Sequence, residues 1–303
     1  MTGPVHFADA LISRIRVLQQ PLCVGLDPHL ALVPPVFRRG SMAPNDPATV
    51  EAVGEFLETV IDRLQDRVAV VKPQLSLFEQ LGPAGLLLLQ RLVQRARNRG
   101  LLVILDGKRG DIGSSAEGYA QAYLEPGAPF EADALTVHPY LGLETLEPYL
   151  QRCQYGRGVF TLVKTSNPGS GDLQDLQVGD VPVYEQLARG LGHACAGLCG
   201  PQTGFSALGV VVGATYPEPA LRVRAALPKA LFLVPGFGAQ GASAKEAVRG
   251  FIAGPRGLEG GVVNSSRGVL FPQLQAEDAA HWEQAFDGAL AAAIDVLGQA
   301  VVA

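Results

Sequence analysis

The stretch LLVILDGKRGDIGSS, residues 101–115, runs five apolar residues together and then places Asp106, Lys108, Arg109 and Asp111 within six positions. Apolar residues in unbroken succession suit a strand buried on both faces, whereas a half-exposed antiparallel strand alternates. The charges fall where such a strand would end. Two readings of them stay open at this level: ordinary solvent exposure at a strand end, or a charge cluster held on the rim of a buried sheet.

The same arrangement recurs in both directions from this stretch. A short apolar run, a polar or glycine-rich tip and a helix-compatible segment follow one another at PLCVGLD (21–27), RVAVVKP (67–73), LLVILDGK (101–108), DALTVHPY (133–140), GVFTLVKTSN (158–167), LGVVVGAT (208–215), LFLVPGFG (231–238) and GGVVNSS (260–266). Between them, residues 49–64 put Val50, Val53, Leu57, Val60, Ile61 and Leu64 on one helical stripe. Residues 82–100 carry a proline near the start, arginines late and glycine at the end, which is what helix termini favour. Further helices are expected at 115–124, 143–152, 183–198, 218–227, 242–252 and 278–298. Eight alternating units predict one (β/α)8 TIM-barrel domain over residues 1–303, with residues just past the strands' C-terminal ends converging at one mouth. An open doubly wound sheet is the competing architecture, but eight units that use the whole chain favour closure. The segments 28–48 and 165–182, rich in Pro, Gly, Asp and Asn, are expected to be long mouth loops.

Composition narrows the function classes. A chain of 303 residues with a 48% hydrophobic fraction can bury a large core. The charges are spread along the chain and leave no uninterrupted apolar segment of transmembrane length. Asp9, Arg14 and Arg16 interrupt what would have to be the apolar part of a signal peptide, so a cytoplasmic location is expected. With 24 basic and 29 acidic residues the net charge is -5, which gives no general reason to expect a nucleic-acid or anionic-membrane partner. Cys23, Cys153, Cys195 and Cys199 are too few for a disulfide scaffold, and Cys195 and Cys199 have no paired histidines near them to complete a metal site.

The predicted mouth collects Asp27, Lys72, Asp106, Lys108, His138, Lys164, Gly213, Pro235 and Asn264. Asp106 and Lys108 lie two apart, so on an extended strand end they point to the same side. A fixed acid beside a fixed base holds the lysine protonated and keeps negative charge beside a substrate, an arrangement that suits proton donation to a developing carbanion. A structural ion network is the equal alternative by physics alone. GKRG lacks the upstream glycine spacing of a Walker A loop and its Ser or Thr after the lysine, which excludes an ATPase reading. VPGFGAQG (234–241) and VVNSSRGVL (262–270) suggest phosphate binding at the last two barrel units, where glycines let backbone N–H groups approach an anion and Arg267 can make a bidentate contact. Lys164 in FTLVKTSNPGS could instead form a Schiff base with a carbonyl substrate, as in an aldolase. A phosphate-ligand-binding barrel without catalysis is the non-enzymatic alternative. No metal set, flavin fingerprint or dinucleotide motif is recognisable, so no cofactor and no metal are expected.

Taken in order, CVGLDP (23–28), VKPQ (71–74), DGKRGDIGSS (106–115), TVHPY (136–140), VKTSNPGS (163–170), VPGFGAQG (234–241) and NSSRG (264–268) resemble the orotidine 5'-phosphate decarboxylases, specifically their longer bacterial subgroup, type 2. The resemblance implies the conversion of orotidine 5'-monophosphate to UMP and carbon dioxide in a homodimer. It also implies that Asp27 positions the ribose, Lys72 belongs to the charged network, Asp106 places negative charge near the substrate carboxylate and Lys108 protonates carbon 6. Asp111 would reach across the dimer interface into the neighbouring site. Ser166 would recognise the pyrimidine, Gln240 and Arg267 would contact the phosphate, and Asn264 would support that loop. Arg109 and His138 receive no catalytic role.

Overall fold

The computed structural model describes residues 4–238, 241–272 and 278–302. Eight parallel strands close into a barrel: β1 Leu22–Leu26, β2 Val70–Pro73, β3 Leu102–Arg109, β4 Ala134–Val137, β5 Gly158–Lys164, β6 Ser206–Val212, β7 Ala230–Val234 and β8 Gly261–Ser265. Each strand pairs with its neighbours in chain order, and β1 closes the ring by pairing with β8 through Leu22 opposite Val263 and Cys23 opposite Asn264. The consecutive apolar runs have their cause here, because every residue of β1, β2, β4, β6 and β7 is buried. This is a (β/α)8 TIM barrel, as expected.

Helices Pro47–Leu64, Gly82–Asn98, Gly113–Leu124, Val183–Gly197 and Pro217–Ala226 match the expected crossovers to within a few residues. The first starts two residues early because Asp46 caps it, its carboxylate accepting the Ala48 N–H at 2.9 Å, and Pro47 needs no donor in the first turn. Two expectations change. The segment 143–152 is a chain of short turns, Leu143–Leu146, Glu147–Leu150 and Gln151–Tyr155, with Pro148 supplying no N–H. Residues 242–252 hold only Ala244–Ala247, started by a Ser243/Glu246 capping box, before Ile252–Gly254 and Gly257–Glu259 form an antiparallel hairpin.

One helix was not anticipated. Phe7–Leu18 presents Phe7, Ala8, Leu11, Ile12 and Ile15 to the barrel interior, where they share a cluster with Val70, Ile104, Phe160, Leu231 and Val262. Phe7 lies edge-on to Phe160 at 6.0 Å and rests on Gly158, the first residue of β5, where a Cβ would collide with its ring. This helix therefore stoppers the N-terminal end of the barrel.

The last helix, Ala279–Val302, is long and apolar enough by composition to cross a membrane, but Glu283, Asp287 and Asp295 interrupt it, in keeping with the expectation of no uninterrupted apolar segment of that length. Its Trp282, Phe286, Leu290 and Leu297 are buried in the core, and Asp287 pairs with Arg63 and Arg67 of the Pro47–Leu64 helix. Those contacts are the ones a packed crossover helix makes. Of the mouth segments, 28–48 folds into the turns Leu30–Leu32 and Pro35–Phe37 and anchors Phe37 against Trp282 at 4.9 Å. The segment 165–182 carries the turns Pro168–Ser170 and Gly171–Gln174 and a two-residue hairpin pairing Gln177–Val178 with Val181–Pro182.

Candidate active site

The site begins with an irregularity in β3. Its pairing with β4 is regular at Leu105 opposite Leu135 and resumes at Arg109 opposite Val137, so four steps along β3 pass two along β4. Such an irregularity bends a strand and re-aims its side chains. Within it Lys108 has φ +45°, a left-handed conformation that a residue bearing a Cβ adopts at a cost of about 1–3 kcal/mol. The Lys108 N–H is held by the Thr136 hydroxyl oxygen at 2.9 Å.

The bend turns Asp106 and Lys108 into the barrel mouth beside Lys72 of β2. The Lys72 ammonium donates to Asp106 Oδ2 at 2.8 Å, the Lys108 ammonium to Oδ1 at 2.6 Å, and the Thr136 hydroxyl also to Oδ1 at 2.9 Å. Burial by itself would raise the Asp106 carboxyl, but the charges and hydrogen bonds of both lysines outweigh it and hold the group well below the usual carboxylate range. Burial likewise opposes the charge on Lys72, and the negative charges of Asp106 and Asp27 overcome it, raising that ammonium above its ordinary value. Asp106 and Lys72 are therefore charged together at neutral pH. The two lysines are not equivalent. Their exposure differs, with the Lys72 side chain 5% exposed and the Lys108 side chain 45% exposed.

These residues line a cavity of about 760 Å³ at the C-terminal end of the barrel, together with Asp27, Ser166, Asn264 and Arg267. Asp27 Oδ1 and Asn264 Oδ1 are buried acceptors without a partner among the described residues. Ser166 is seated because a glycine follows β6: a Cβ on Gly213 would stand 2.7 Å from Ser166 Cα. The Thr215 hydroxyl adds a hydrogen bond to the Ser166 carbonyl at 3.3 Å. Gln174 brackets Thr165, accepting its N–H and donating to its hydroxyl, both at 2.9 Å. Arg267, in the turn after β8, is exposed at the rim.

Other expected positions fall elsewhere. Asp111 lies outside the cavity of its own chain and accepts the Ile112 N–H at 2.8 Å. Gln240 lies outside the described residues. Lys164 is fully buried and donates to Ser170 Oγ at 3.1 Å and Asp175 Oδ1 at 2.8 Å, with the Tyr216 ring 4.2 Å away, so it tethers the 165–182 segment and does not line the cavity. Arg109 pairs with Glu79 and sits over the rings of Tyr119 and Tyr123 at 5.5 and 5.9 Å, which makes it a packing cation. His138 is held outside the cavity with its N–H on the Arg109 carbonyl at 2.9 Å. Thr136, Gln74 and Ser266 line the cavity and were not singled out from the sequence. For Thr136 the sequence offers only a hydroxyl inside the apolar run ALTV, which a buried strand accommodates by propensity and which does not mark a site.

Fold and site together define a TIM barrel that carries a lysine–carboxylate–lysine array on its strand ends. The profile of the orotidine 5'-phosphate decarboxylase / HUMPS family matches residues 20–281. The chain is 42% identical over 289 residues to the orotidine 5'-phosphate decarboxylase of Rhodopirellula baltica, covering 92% of this chain and 94% of that one. It is 40% identical to the enzyme of the same name from Deinococcus radiodurans, over 88% and 89% of the two chains. The structure of Leishmania donovani OMP decarboxylase superposes with a TM-score of 0.75 at 30% identity, over 99% of this chain and 100% of that one. This chain belongs to the orotidine 5'-phosphate decarboxylase / HUMPS family.

Proposed function

We propose that the protein decarboxylates orotidine 5'-monophosphate to UMP and carbon dioxide, the last step of de novo pyrimidine nucleotide synthesis, as a member of the longer bacterial type 2 subgroup. The observation that carries this reading is the Asp106 carboxylate held between Lys72 and Lys108 at the cavity wall. When the C6–carboxylate bond breaks, its electron pair stays on carbon 6. Lys108 donates a proton from Nζ to that carbon, forming the new C–H bond, and is reprotonated from solvent. Fixed positive charge beside the developing carbanion favours the transition state over the ground state, where Asp106 faces another carboxylate. These steps use the protein's own side chains and call for no cofactor.

Binding follows the same cavity. Asp27, with its unpartnered buried oxygen, is available to a ribose hydroxyl, Ser166 to the pyrimidine edge and Arg267 to the phosphate. The sequence resemblance adds Gln240 to the phosphate contacts and gives Asn264 the support of that loop. Asp111 completes the site of a second subunit in a homodimer. Exposed Ile112, Tyr140, Leu141 and Leu143 next to it on the same rim support an apolar contact there. Residues 1–303 work as one barrel domain with the mouth segments 28–48 and 165–182. Four free thiols suit the reducing cytoplasm, and no nucleic-acid or membrane partner is called for. The aldolase alternative is disfavoured by Lys164, which is buried against Asp175 instead of facing the cavity. The test is the absorbance change of orotidine 5'-monophosphate on adding purified protein without cofactor. Conversion to UMP is expected, and binding without conversion would leave only a ligand-binding barrel.

A further inference from the structure

Among the residues around Lys108, Thr136 makes contacts that no part of the reaction scheme has used. It is 1% exposed, belongs to β4, and faces the irregular part of β3. Its single hydroxyl has two partners: it accepts the Lys108 N–H at 2.9 Å and donates to Asp106 Oδ1 at 2.9 Å, the same oxygen that receives the Lys108 ammonium at 2.6 Å. A hydroxyl has one proton to give. Because the backbone N–H must donate to Oγ, that proton is committed to the carboxylate, and the chain of donors runs in one direction only, from Lys108 N–H through Thr136 to Asp106. An Oδ1 that receives both this proton and the ammonium is kept as an ionised acceptor.

We propose that Thr136 is a positioning residue for the proton donor, holding Lys108 in its left-handed backbone conformation and fixing Asp106 as the anion that aims the Lys108 ammonium. The inference rests on the decarboxylase reading above. At φ +45° the lysine backbone sits in a region that residues other than glycine leave readily unless neighbours hold it. The side chain starts from that backbone and ends, 45% exposed, in the cavity, so a change at its root displaces the ammonium at its tip.

Thr136→Val keeps the shape of the side chain and removes both hydrogen bonds, whereas Thr136→Ser keeps the hydroxyl and loses a methyl group. With Lys108 displaced by about 1 Å, kcat of Thr136→Val is expected to fall about 10²-fold. KM and the affinity for UMP, measured by calorimetry, should stay at wild-type values, and Thr136→Ser should recover most of the lost kcat. Three results would overturn the role: undiminished kcat in Thr136→Val, a serine variant as impaired as the valine one, or loss of UMP binding in parallel with turnover. Wild-type protein assayed alongside separates this inference from the reading beneath it. Wild type that releases no carbon dioxide from orotidine 5'-monophosphate overturns both, while active wild type with equally active Thr136→Val overturns only the role of Thr136.

Discussion

Lys72 and Lys108 divide one carboxylate between them, each taking a different oxygen of Asp106, at 2.8 and 2.6 Å. The division is unequal in environment. Lys72 is closed off from solvent with its carboxylate, whereas Lys108 reaches into the cavity. A cation that cannot move and cannot readily lose its proton is a fixed charge. A cation on an accessible, flexible stem can deliver a proton and be recharged.

Lys108→Ala is therefore expected to leave the fold unchanged and to lower kcat by at least about 10²–10⁴-fold, the range general acids contribute. Thermal unfolding followed by circular dichroism, alongside turnover of orotidine 5'-monophosphate, checks both halves. Near-normal turnover in a folded variant would remove Lys108 from the reaction.

Asp106→Asn should instead cost stability, about 3–5 kcal/mol, because it leaves the buried Lys72 cation without its partner. The sign of the pH dependence follows from the shifts. Asp106 is lowered in the folded state from 3.8, so its contribution is present above that value and is lost as pH falls. Lys72 is raised from 10.5, so its contribution is present below that value and is lost as pH rises through the higher folded value. In urea titrations, wild type should lose more stability than Asp106→Asn between about pH 5 and about pH 3, where the free carboxyl titrates. Parallel curves for the two proteins would contradict the assigned shift.

Arg267→Ala is expected to reduce kcat/KM for orotidine 5'-monophosphate about 10–100-fold, the equivalent of one hydrogen bond to a charged group at about 1.5–3 kcal/mol. Turnover of orotidine, which has no phosphate, should be unaffected. Equal losses on both substrates would place Arg267 in some other role.

For Asp111 the informative protein is a hybrid. Lys108→Ala and Asp111→Ala subunits, each inactive as homodimers, should regain activity when mixed, because each heterodimer contains one site carrying both changes and one carrying neither. Verified heterodimers without activity would confine Asp111 to its own chain.

The sequence was most informative where burial dictates residue type. All eight strands lie within the expected runs or a few residues from them because a strand covered on both faces has no freedom to be polar. The N-terminal helix escaped notice because an amphipathic turn of Phe7, Leu11, Ile12 and Ile15 carries no mark of where its apolar face will dock. Lys164 illustrates a different limit: a lysine at a strand end reads as a mouth residue, and only the fold shows its side chain turned under the following loop to Asp175. Thr136 is unreadable for the opposite reason, since a threonine suits a buried strand by propensity alone and its two hydrogen bonds depend on an irregularity in the neighbouring strand. Asp111 lies outside the cavity of its own chain, so the role the resemblance implies for it can be tested only against a second copy.

The helix Phe7–Leu18, packed against Phe160, covers the lower end of a barrel whose interior is already filled by side chains. With that end filled, nucleotide, carbon dioxide and product share the mouth as their common doorway. Whatever grips the phosphate there must let go once per cycle, so the residues that make binding tight also set the pace at which the enzyme empties.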